Sequence, residues 1–536
     1  MSNPAQTKGP TSGGAGIPPD RPTHRSSVLR NVGTNWIVYF VVLVTGLVIP
    51  RLIDIKEGQE LLGVWDFGWS LVAYVALLSL GVVSAVNRYV ARYTAVQDWE
   101  GLNTAVNSAL ALFLGSFGIG VLLSLVFVAL VPVLLHQADP ANISVARWTI
   151  LLLTLAASMK LPIGAIEGVL TGHERYDLLN MVRAGREITS VVAMSWLLIN
   201  GFGLEAIAAL HLVAEIAAGG VKVAVVRRIC PELRFAPSWV RRAMLVEMLG
   251  FGGKTLLQGF ARTGLYQLNT ILVAYFLGPI VLAVYSRQRA LVLHAVRFLK
   301  KYSLVFVPTS GRLDAKGDTA GLQDLLMTTS RYGFHIALPI IALFLVMGGP
   351  LLEVWMGPVY KAPWILAVLA LGHTLALPQE SAYSILVGMG RHGYPSLIEL
   401  VAAVCGVGLC AVALGALGGG MLSAALAVAI PVTVAGGLVA PWYACRLLRL
   451  SVWRYARAAM VAPVLAVLPF VVALLIARWA WPDSAFRALM YGVGAGGVVL
   501  AAVYWVWVVP PSLRAKVARI AGLRRLQTVP TSGRME

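Results

Sequence analysis

Charge is what this 536-residue sequence has least of. Only 12% of its residues are charged and 58% are hydrophobic, with a mean hydropathy of +0.78. A soluble chain has no interior large enough to hide that much apolar surface, which excludes a soluble globular protein and leaves a polytopic membrane protein. Acid is scarcer than base: 24 Asp and Glu stand against 43 Lys and Arg, a net charge of +19. The surplus lies in short segments between apolar runs and needs no nucleic acid to explain it. The four cysteines, Cys230, Cys405, Cys410 and Cys445, have no metal spacing and suggest no disulfide framework. They read as small packing residues or free thiols. No Walker loop, zinc pair or nucleophile elbow is present, so the reading is not an enzyme. No cleavable signal peptide is recognisable. Residues 1–25 are rich in Pro, Gly, Ser and Thr and read as a disordered tail.

What is there is a series of apolar runs. They fall near Thr34–Ile53, Trp65–Val90, Val106–Leu135, Ala146–Leu170, Leu178–Ile199 and Leu204–Val225. After a basic segment come Gly250–Leu277, Ile280–Val307, Tyr332–Met347, Pro363–Val387, Leu397–Leu417, Leu422–Ala444, Ala456–Ile476 and Ala488–Val508. That makes about 14 helices of membrane length. If both ends are cytoplasmic, most Lys and Arg fall on the inner side, among them Arg227, Arg228, Arg241, Arg242, Arg446 and Arg449. The outer segments are short or acidic, as at Asp54, Glu57 and Glu60. Arg514, Lys516, Arg519, Arg524 and Arg525 form a basic tail suited to anionic lipid.

An internal repeat gives the same layout. LPIGAIEGVLTGHER (Leu161–Arg175) returns 216 positions later as LPQESAYSILVGMGR (Leu377–Arg391), and GVWDFGWSL at Gly63 is echoed by AVYSRQRAL at Ala283. Both copies run in the same direction across the membrane. The expected fold is all-α: two six-helix lobes related by a pseudo-two-fold along the membrane normal, plus a C-terminal helix pair. The expected division is a cytoplasmic tail at 1–29, an N-lobe at 30–228, a basic linker at 229–246, a C-lobe at 247–447, the helix pair at 448–510 and a basic tail at 511–536. Substrate sites in such transporters sit near the midplane between halves.

The stretch Gly250–Leu277 carries Lys254, Gln258, Arg262, Tyr266 and Asn269 within a run otherwise fit to cross a membrane. At about 100° per residue these five fall within roughly a third of the helix circumference. A cation inside a bilayer costs at least ~2.5 kcal/mol, so two on one stripe face a watery cavity or a partner. The plainer alternative has Lys254 snorkelling to the interface and only Arg262 deep. Where the first repeat has Phe67 and Trp69, the second has Arg287 and Arg289, and Lys160 adds a cation to the first half. Arg forks suit bidentate phosphate and Lys supplies a compact charge, so the lining fits a pyrophosphate and not a cationic drug. Acids inside the spans are Glu167, Glu215, Glu380 and Glu399, with His211, His294, His335 and His373. His211 and Glu215 stand one turn apart and form a candidate relay; the alternatives are a neutral glutamate hydrogen-bonded to a neighbouring helix, or an ion pair with Lys222. Glu380, beside Gln379 in the second LP copy, is the first choice for ion coupling or gating.

The chain resembles the multidrug/oligosaccharidyl-lipid/polysaccharide exporter superfamily, and within it the Wzx-type polysaccharide and oligosaccharide flippases. The segments that carry the resemblance are LRNVGTNWIVYFVVLVTGLVIPRL, SLGVVSAVNRYVARYTA, GVLTGHERYDLLN, NTILVAYFLGPIVLAVYSRQRAL, VFVPTSGRLDAKGD and ILVGMGRHGYPSLIE, in that order from about residue 27 to 510. The resemblance implies a multi-pass protein of the bacterial inner membrane with both termini cytoplasmic. It would move undecaprenyl-pyrophosphate-linked oligosaccharide to the periplasmic leaflet by alternating access, for O-antigen, capsule or exopolysaccharide synthesis. Lys254, Arg262, Arg287, Arg289 and Lys160 would hold pyrophosphate or acidic sugar, and Tyr266, Gln258, Asn269, Gln379 and Asn35 would meet hydroxyls. No cofactor is implied beyond a coupled proton or sodium ion. Expected partners are the lipid-linked substrate, membrane lipids, a polysaccharide polymerase and a chain-length regulator. Related drug exporters carry an acid in the first helix; here it has Asn31, Asn35 and Tyr39 instead. The lipid II flippase of peptidoglycan synthesis, a cation-coupled drug exporter and a non-transporting assembly scaffold stand as alternatives.

Overall fold

The computed structural model describes residues 23–79 and 82–514; the side chains of 23–32, 35, 82, 84, 251–262 and 265 lie outside that description. Among the described residues the regular structure is helical throughout. The first bundle holds α1 (Thr23–Glu57), α2 (Gln59–Leu77), α3 (Val82–Ala95), α4 (Trp99–Leu134), α5 (Pro140–Gly172), α6 (Tyr176–Ile199) and α7 (Gly203–Ile229). The second holds α8 (Arg242–Leu304), α9 (Val307–Ala315), α10 (Thr319–Met356), α11 (Pro363–Thr374), α12 (Glu380–Gly388), α13 (Gly393–Gly415), α14 (Met421–Val432) and α15 (Ala440–Leu447), with a π-helical stretch, Thr433–Val439, between the last two. The helices α16 (Val452–Ala480) and α17 (Ala485–Val503) pack on α10 and on each other.

Eleven of the described helices are long and apolar enough to cross a membrane. Their outward faces are apolar and open, as at Leu122, Leu125, Trp196, Val464 and Val472, the reverse of a soluble helix and the arrangement a bilayer requires. The chain is a multi-pass membrane protein. The difference from the fourteen expected spans has local causes. Helix α8 is two helical arms joined across a kink at Gly278, and its arms are two of the expected spans. Helix α6 carries Asp177, Arg183, Arg186 and Glu187, which lower its hydropathy. The expected span Pro363–Val387 is two short helices, α11 and α12, parted at residues 375–379 beside Pro378. Trp65–Val90 likewise divides into α2 and α3.

Backbone turns reproduce the repeat. Left-handed residues stand at Gly58 and Gly278, at Gln97 and Gly317, at Glu174 and Gly390, and at Gly201 and Gly418. Members of each pair are 216 to 220 positions apart, the offset of the two sequence echoes. The turn after each member of the second pair is also shared. Asp98 caps α4 by accepting from Gly101 N at 2.8 Å, and Asp318 caps α10 by accepting from Gly321 N at 2.8 Å. These carboxylates satisfy a donor that the first turn of a helix leaves open. Gly172 and Gly388, equivalent in the LP repeat, mark the same close approach: an added Cβ would lie 2.4 Å from Val90 Cγ1 in one and 2.0 Å from Ser310 Oγ in the other.

The segment between α7 and α8 is fastened to the first bundle by side-chain amides of α4. Asn103 accepts from Arg234 N at 2.6 Å and donates to Glu232 O at 3.0 Å; Asn107 accepts from Ala236 N at 3.0 Å and donates to Arg234 O at 2.8 Å. One turn apart on α4, the two asparagines do for this segment what a neighbouring strand would do. Burial, and then the Glu232 carboxylate, hold the Cys230 thiol above its ordinary pKa, so it remains protonated and unreactive. All four cysteines are free, and only Cys405 is exposed.

The two bundles meet where the equivalent turns at Gly58 and Gly278 face each other. Gly63 of α2 lies so close to α8 that a Cβ there would sit 1.9 Å from Pro279 O. Gln59 donates to Ile280 O at 3.4 Å, and Gln137 donates to Phe276 O at 2.9 Å. Gly63→Ala therefore forces α2 away from α8. The expected cost is about 1–3 kcal/mol, as for other overpacked contacts, read as a lower melting temperature of the detergent-purified chain. An unchanged melting temperature would contradict this packing.

Candidate functional site

A buried polar seam continues from that contact. Arg287 on the second arm of α8 is 3% exposed and pairs with Asp66 of α2, across the bundles. Its guanidinium also lies 5.9 Å from the ring of Trp355, whose Nε1 donates to Leu47 O of α1 at 2.8 Å. Gln288 donates to Tyr360 O at 2.8 Å; the Tyr360 hydroxyl donates to Asp54 of α1. Arg51 pairs with Asp54 at 3.3 Å and donates to Met356 O. Arg289 points to the other side of α8, where it donates to Tyr266 O at 2.6 Å and to the Thr270 hydroxyl. Its hydrogen bonds thus go to neutral oxygens. Asp66 Oδ2, Arg287 Nε, Gln288 Oε1 and Arg289 Nε have no hydrogen-bond partner among the described residues.

A second polar centre lies inside the second bundle. A cavity of about 110 Å³ is lined by Tyr266, His373, Gln379, Glu380, Tyr383, Glu399 and the apolar residues Pro431, Val432, Ala435 and Gly436. Its walls are irregular backbone. The break between α11 and α12 supplies Ala376, Leu377 and Gln379, and the π-helical stretch supplies Ala435 and Gly436. Non-helical backbone at membrane depth is tolerated where it lines a cavity or is buried in protein, and π-turns recur at functional sites. His373 Nδ1 lies 2.8 Å from Leu369 O, which makes it the protonated nitrogen; Nε2 then accepts from the Tyr266 hydroxyl at 2.8 Å. Gln379 Oε1 accepts from Tyr455 of α16, and Tyr383 shares a hydrogen bond with Ser396 at 3.0 Å.

A third cluster joins α5, α6 and α7. Glu167 binds Lys222 at 2.7 Å and Arg183 at 2.5 Å; Arg186 pairs with Glu187 and, at 3.3 Å, with Glu215. Three acids meet three bases, which is how buried charge is held inside a bundle. The ion pair of a glutamate with Lys222, one of the expected alternatives, forms at Glu167; Glu215 pairs instead with Arg186. His211 rests edge-on against Trp69, ring centres 5.2 Å apart.

The structure thus scatters the expected lining over three places. Arg287 and Arg289 belong to the seam, while Tyr266, Gln379 and Glu380 belong to the cavity. Asn269 is 1% exposed inside the second bundle, accepting from the Tyr285 hydroxyl at 2.7 Å and donating to Ala424 O at 3.1 Å. Lys160 is exposed, and Glu215 and His211 lie by the third cluster. The side chains of Asn35, Lys254, Gln258 and Arg262 lie outside the described residues. Sequence reasoning passed over Asp66 and took Asp54 only as an acid of an outer segment. Asp66 is an acid in the middle of GVWDFGWSL, a signal in its own right, though the stretch drew notice only as part of the repeat. Among the described residues no group of three His, Cys, Asp or Glu side chains is placed to hold a metal ion.

Comparison with known proteins follows the same lines. The sequence model of a family described as polysaccharide biosynthesis protein matches residues 101–363. An inward-facing multidrug resistance MATE family transporter of the MOP superfamily superposes with a TM-score of 0.63 at 16% identity, over 77% of this chain and 96% of that one. The lipid II flippase MurJ in an inward closed conformation superposes at 0.65 and 13% identity, over 90% and 98%. The chain has the fold of these MOP-superfamily transporters. A MOP transporter from Pyrococcus furiosus, titled for the reversed polarity of its binding pocket, also matches, at 0.57 and 15% identity, over 79% and 96%. No curated protein sequence matches.

The third cluster gives a stability test on this MOP-fold chain. Glu167→Ala strands the buried Lys222 inside the bundle and is expected to cost about 3–5 kcal/mol, whereas the double change Glu167→Leu with Lys222→Met costs far less. Thermal unfolding of both variants checks the order. Equal loss in the two would show that the pair is not what holds the charge.

Proposed function

We propose that this chain is a flippase that carries undecaprenyl-pyrophosphate-linked oligosaccharide across a bacterial inner membrane, with the lobes at 30–228 and 247–447 rocking about the seam. The observation that carries the reading is the match to a polysaccharide biosynthesis family over residues 101–363, a span that contains all of α8, with Lys254, Arg262, Arg287 and Arg289 among its cations. Cations on two consecutive crossings suit a phosphate-bearing cargo. Both termini are placed in the cytoplasm by the loop charge, and 448–510 is the accessory helix pair. Glu380 is the proposed coupling carboxylate, for a proton or sodium ion. Its cavity of about 110 Å³ holds an ion and a few waters but not a sugar chain. The MurJ superposition keeps lipid II as the alternative cargo.

Lipid extraction from a deletion strain separates the two. Complementation with the wild-type chain clears accumulated undecaprenyl-linked oligosaccharide. Arg262→Ala and Arg289→Ala are expected to slow clearance about tenfold or more, since a hydrogen bond to a charged group contributes about 1.5–3 kcal/mol. Accumulation of lipid II with normal surface glycan moves the cargo to peptidoglycan. Glu380→Gln is expected to abolish any dependence of clearance on an ion gradient, and unchanged dependence would remove Glu380 from that role.

A further inference from the structure

Arg287 and Asp66 sit on opposite sides of the seam, so their ion pair cannot survive opening of the Gly58/Gly278 end. An Arg that has lost its partner at that depth requires another anion. The pair is also only half made: Asp66 Oδ2 and Arg287 Nε are without hydrogen-bond partners among the described residues. Two residues along α8, Arg289 adds a second positive charge whose hydrogen bonds end on the Tyr266 carbonyl and the Thr270 hydroxyl. One carboxylate therefore pairs with Arg287 alone, while a second guanidinium nearby on the other side of α8 has no carboxylate of its own among the contacts described. A multivalent anion with several acceptor oxygens would satisfy this place better than Asp66 does, because an Arg fork binds phosphate oxygens in pairs. Trp355 lies 5.9 Å from the Arg287 guanidinium and holds it by its ring face when the carboxylate departs.

We propose that Asp66 stands in for the cargo's anion: the pyrophosphate of a polyisoprenyl lipid exchanges with Asp66 at Arg287, and that exchange releases the two bundles at this end. The inference rests on the flippase reading and adds to it a residue and a trigger. Asp66 is a competitor for the site, not a cargo contact. Without cargo the seam stays latched; with cargo, the lost ion pair is replaced rather than merely broken, so opening follows binding.

The test uses the full chain in detergent, with Ser286→Cys as a reporter beside Arg287 and Cys405→Ser to remove the exposed thiol. Farnesyl pyrophosphate is the probe; farnesol and inorganic pyrophosphate are its controls. In the otherwise unaltered chain the reporter thiol is expected to react slowly with a thiol reagent. Farnesyl pyrophosphate is expected to speed that reaction at least fivefold, while neither control does. Asp66→Asn is expected to react fast without probe and to bind farnesyl pyrophosphate about tenfold more tightly, because no carboxylate competes. Arg287→Gln is expected to lose the response to the probe.

The exchanged pair Asp66→Arg with Arg287→Asp covers the case in which Asp66→Asn does not fold. It rebuilds the latch with reversed polarity and is expected to react slowly whether or not the probe is present; acceleration by the probe there overturns the inference. Probe binding that Asp66→Asn leaves unchanged overturns the inference alone and spares the flippase reading. Absence of probe binding in every variant overturns both. Equal acceleration by inorganic pyrophosphate overturns the lipid headgroup as the ligand.

Discussion

The ion pair between Asp66 and Arg287 joins the two bundles at the seam. A bilayer offers no water to a separated charge, so each buried group must find its counter-charge on another helix. In the first bundle that requirement is met internally, by Glu167 with Lys222 and Arg183 and by Arg186 with Glu187 and Glu215. Arg287 is different: its acid belongs to the other bundle. The rest of the seam is arranged around that fact. Gly63 lets α2 approach Pro279, and Trp355, Arg51 and Tyr360 tie α1 to the end of α10 and the segment after it. A bundle that is electrically complete moves as a unit, and a seam that borrows its counter-charge is where motion has an electrostatic consequence.

The repeat explains why the seam has this shape. The turns at Gly58 and Gly278 are equivalent, and each starts a helix that packs against the other. A contact between equivalent turns is self-complementary, as in a two-fold dimer, so any charge placed on one copy alone appears as an asymmetry. The first copy has Asp66 and Phe67 where the second has Ser286 and Arg287. A few side chains that differ between the copies, on a matching backbone, make this contact an ion pair. The helix caps at Asp98 and Asp318 show how well the backbone itself was kept.

What could be read from the sequence follows the same division. The helical class, the positions of the apolar runs and the repeat were legible because each is a property of local pattern: length, hydropathy and offset. The D-x-x-G caps at Asp98–Gly101 and Asp318–Gly321, 220 positions apart, are equally legible signals of the repeat. Partner identity was not. A helical wheel puts Asn269 on the same stripe as Tyr266, yet Asn269 is sealed in by Tyr285 and Ala424 while Tyr266 reaches the cavity. The 3.6-residue period fixes which side of a helix a residue occupies, not how wide the neighbouring helix lies across that side. Lys222 likewise could reach Glu215 or Glu167, and only the packing of α5 on α7 decides for Glu167.

The break between α11 and α12 was also beyond sequence pattern, and it is instructive because the repeat supplies its control. Pro162 and Pro378 are equivalent, each preceded by Leu, yet α5 runs through Pro162 while the second copy parts beside Pro378. Proline removes one donor and clashes with the preceding turn in both, so proline alone does not decide the outcome. What differs is the company. Gln379 accepts from Tyr455, a residue of the added helix α16 that has no counterpart in the first bundle, and Gly333 backs directly onto Pro378, where an added Cβ would lie 2.9 Å from its carbonyl oxygen. Backbone freed at the break is held in short turns, with Gln379 N on Ala376 O at 3.1 Å and Glu380 N on Leu377 O at 3.3 Å. Such a break persists only where neighbours hold it. The accessory helix pair thereby acts on the wall of the cavity that contains Glu380, and the polar interior of the second bundle depends on a helix outside the repeat.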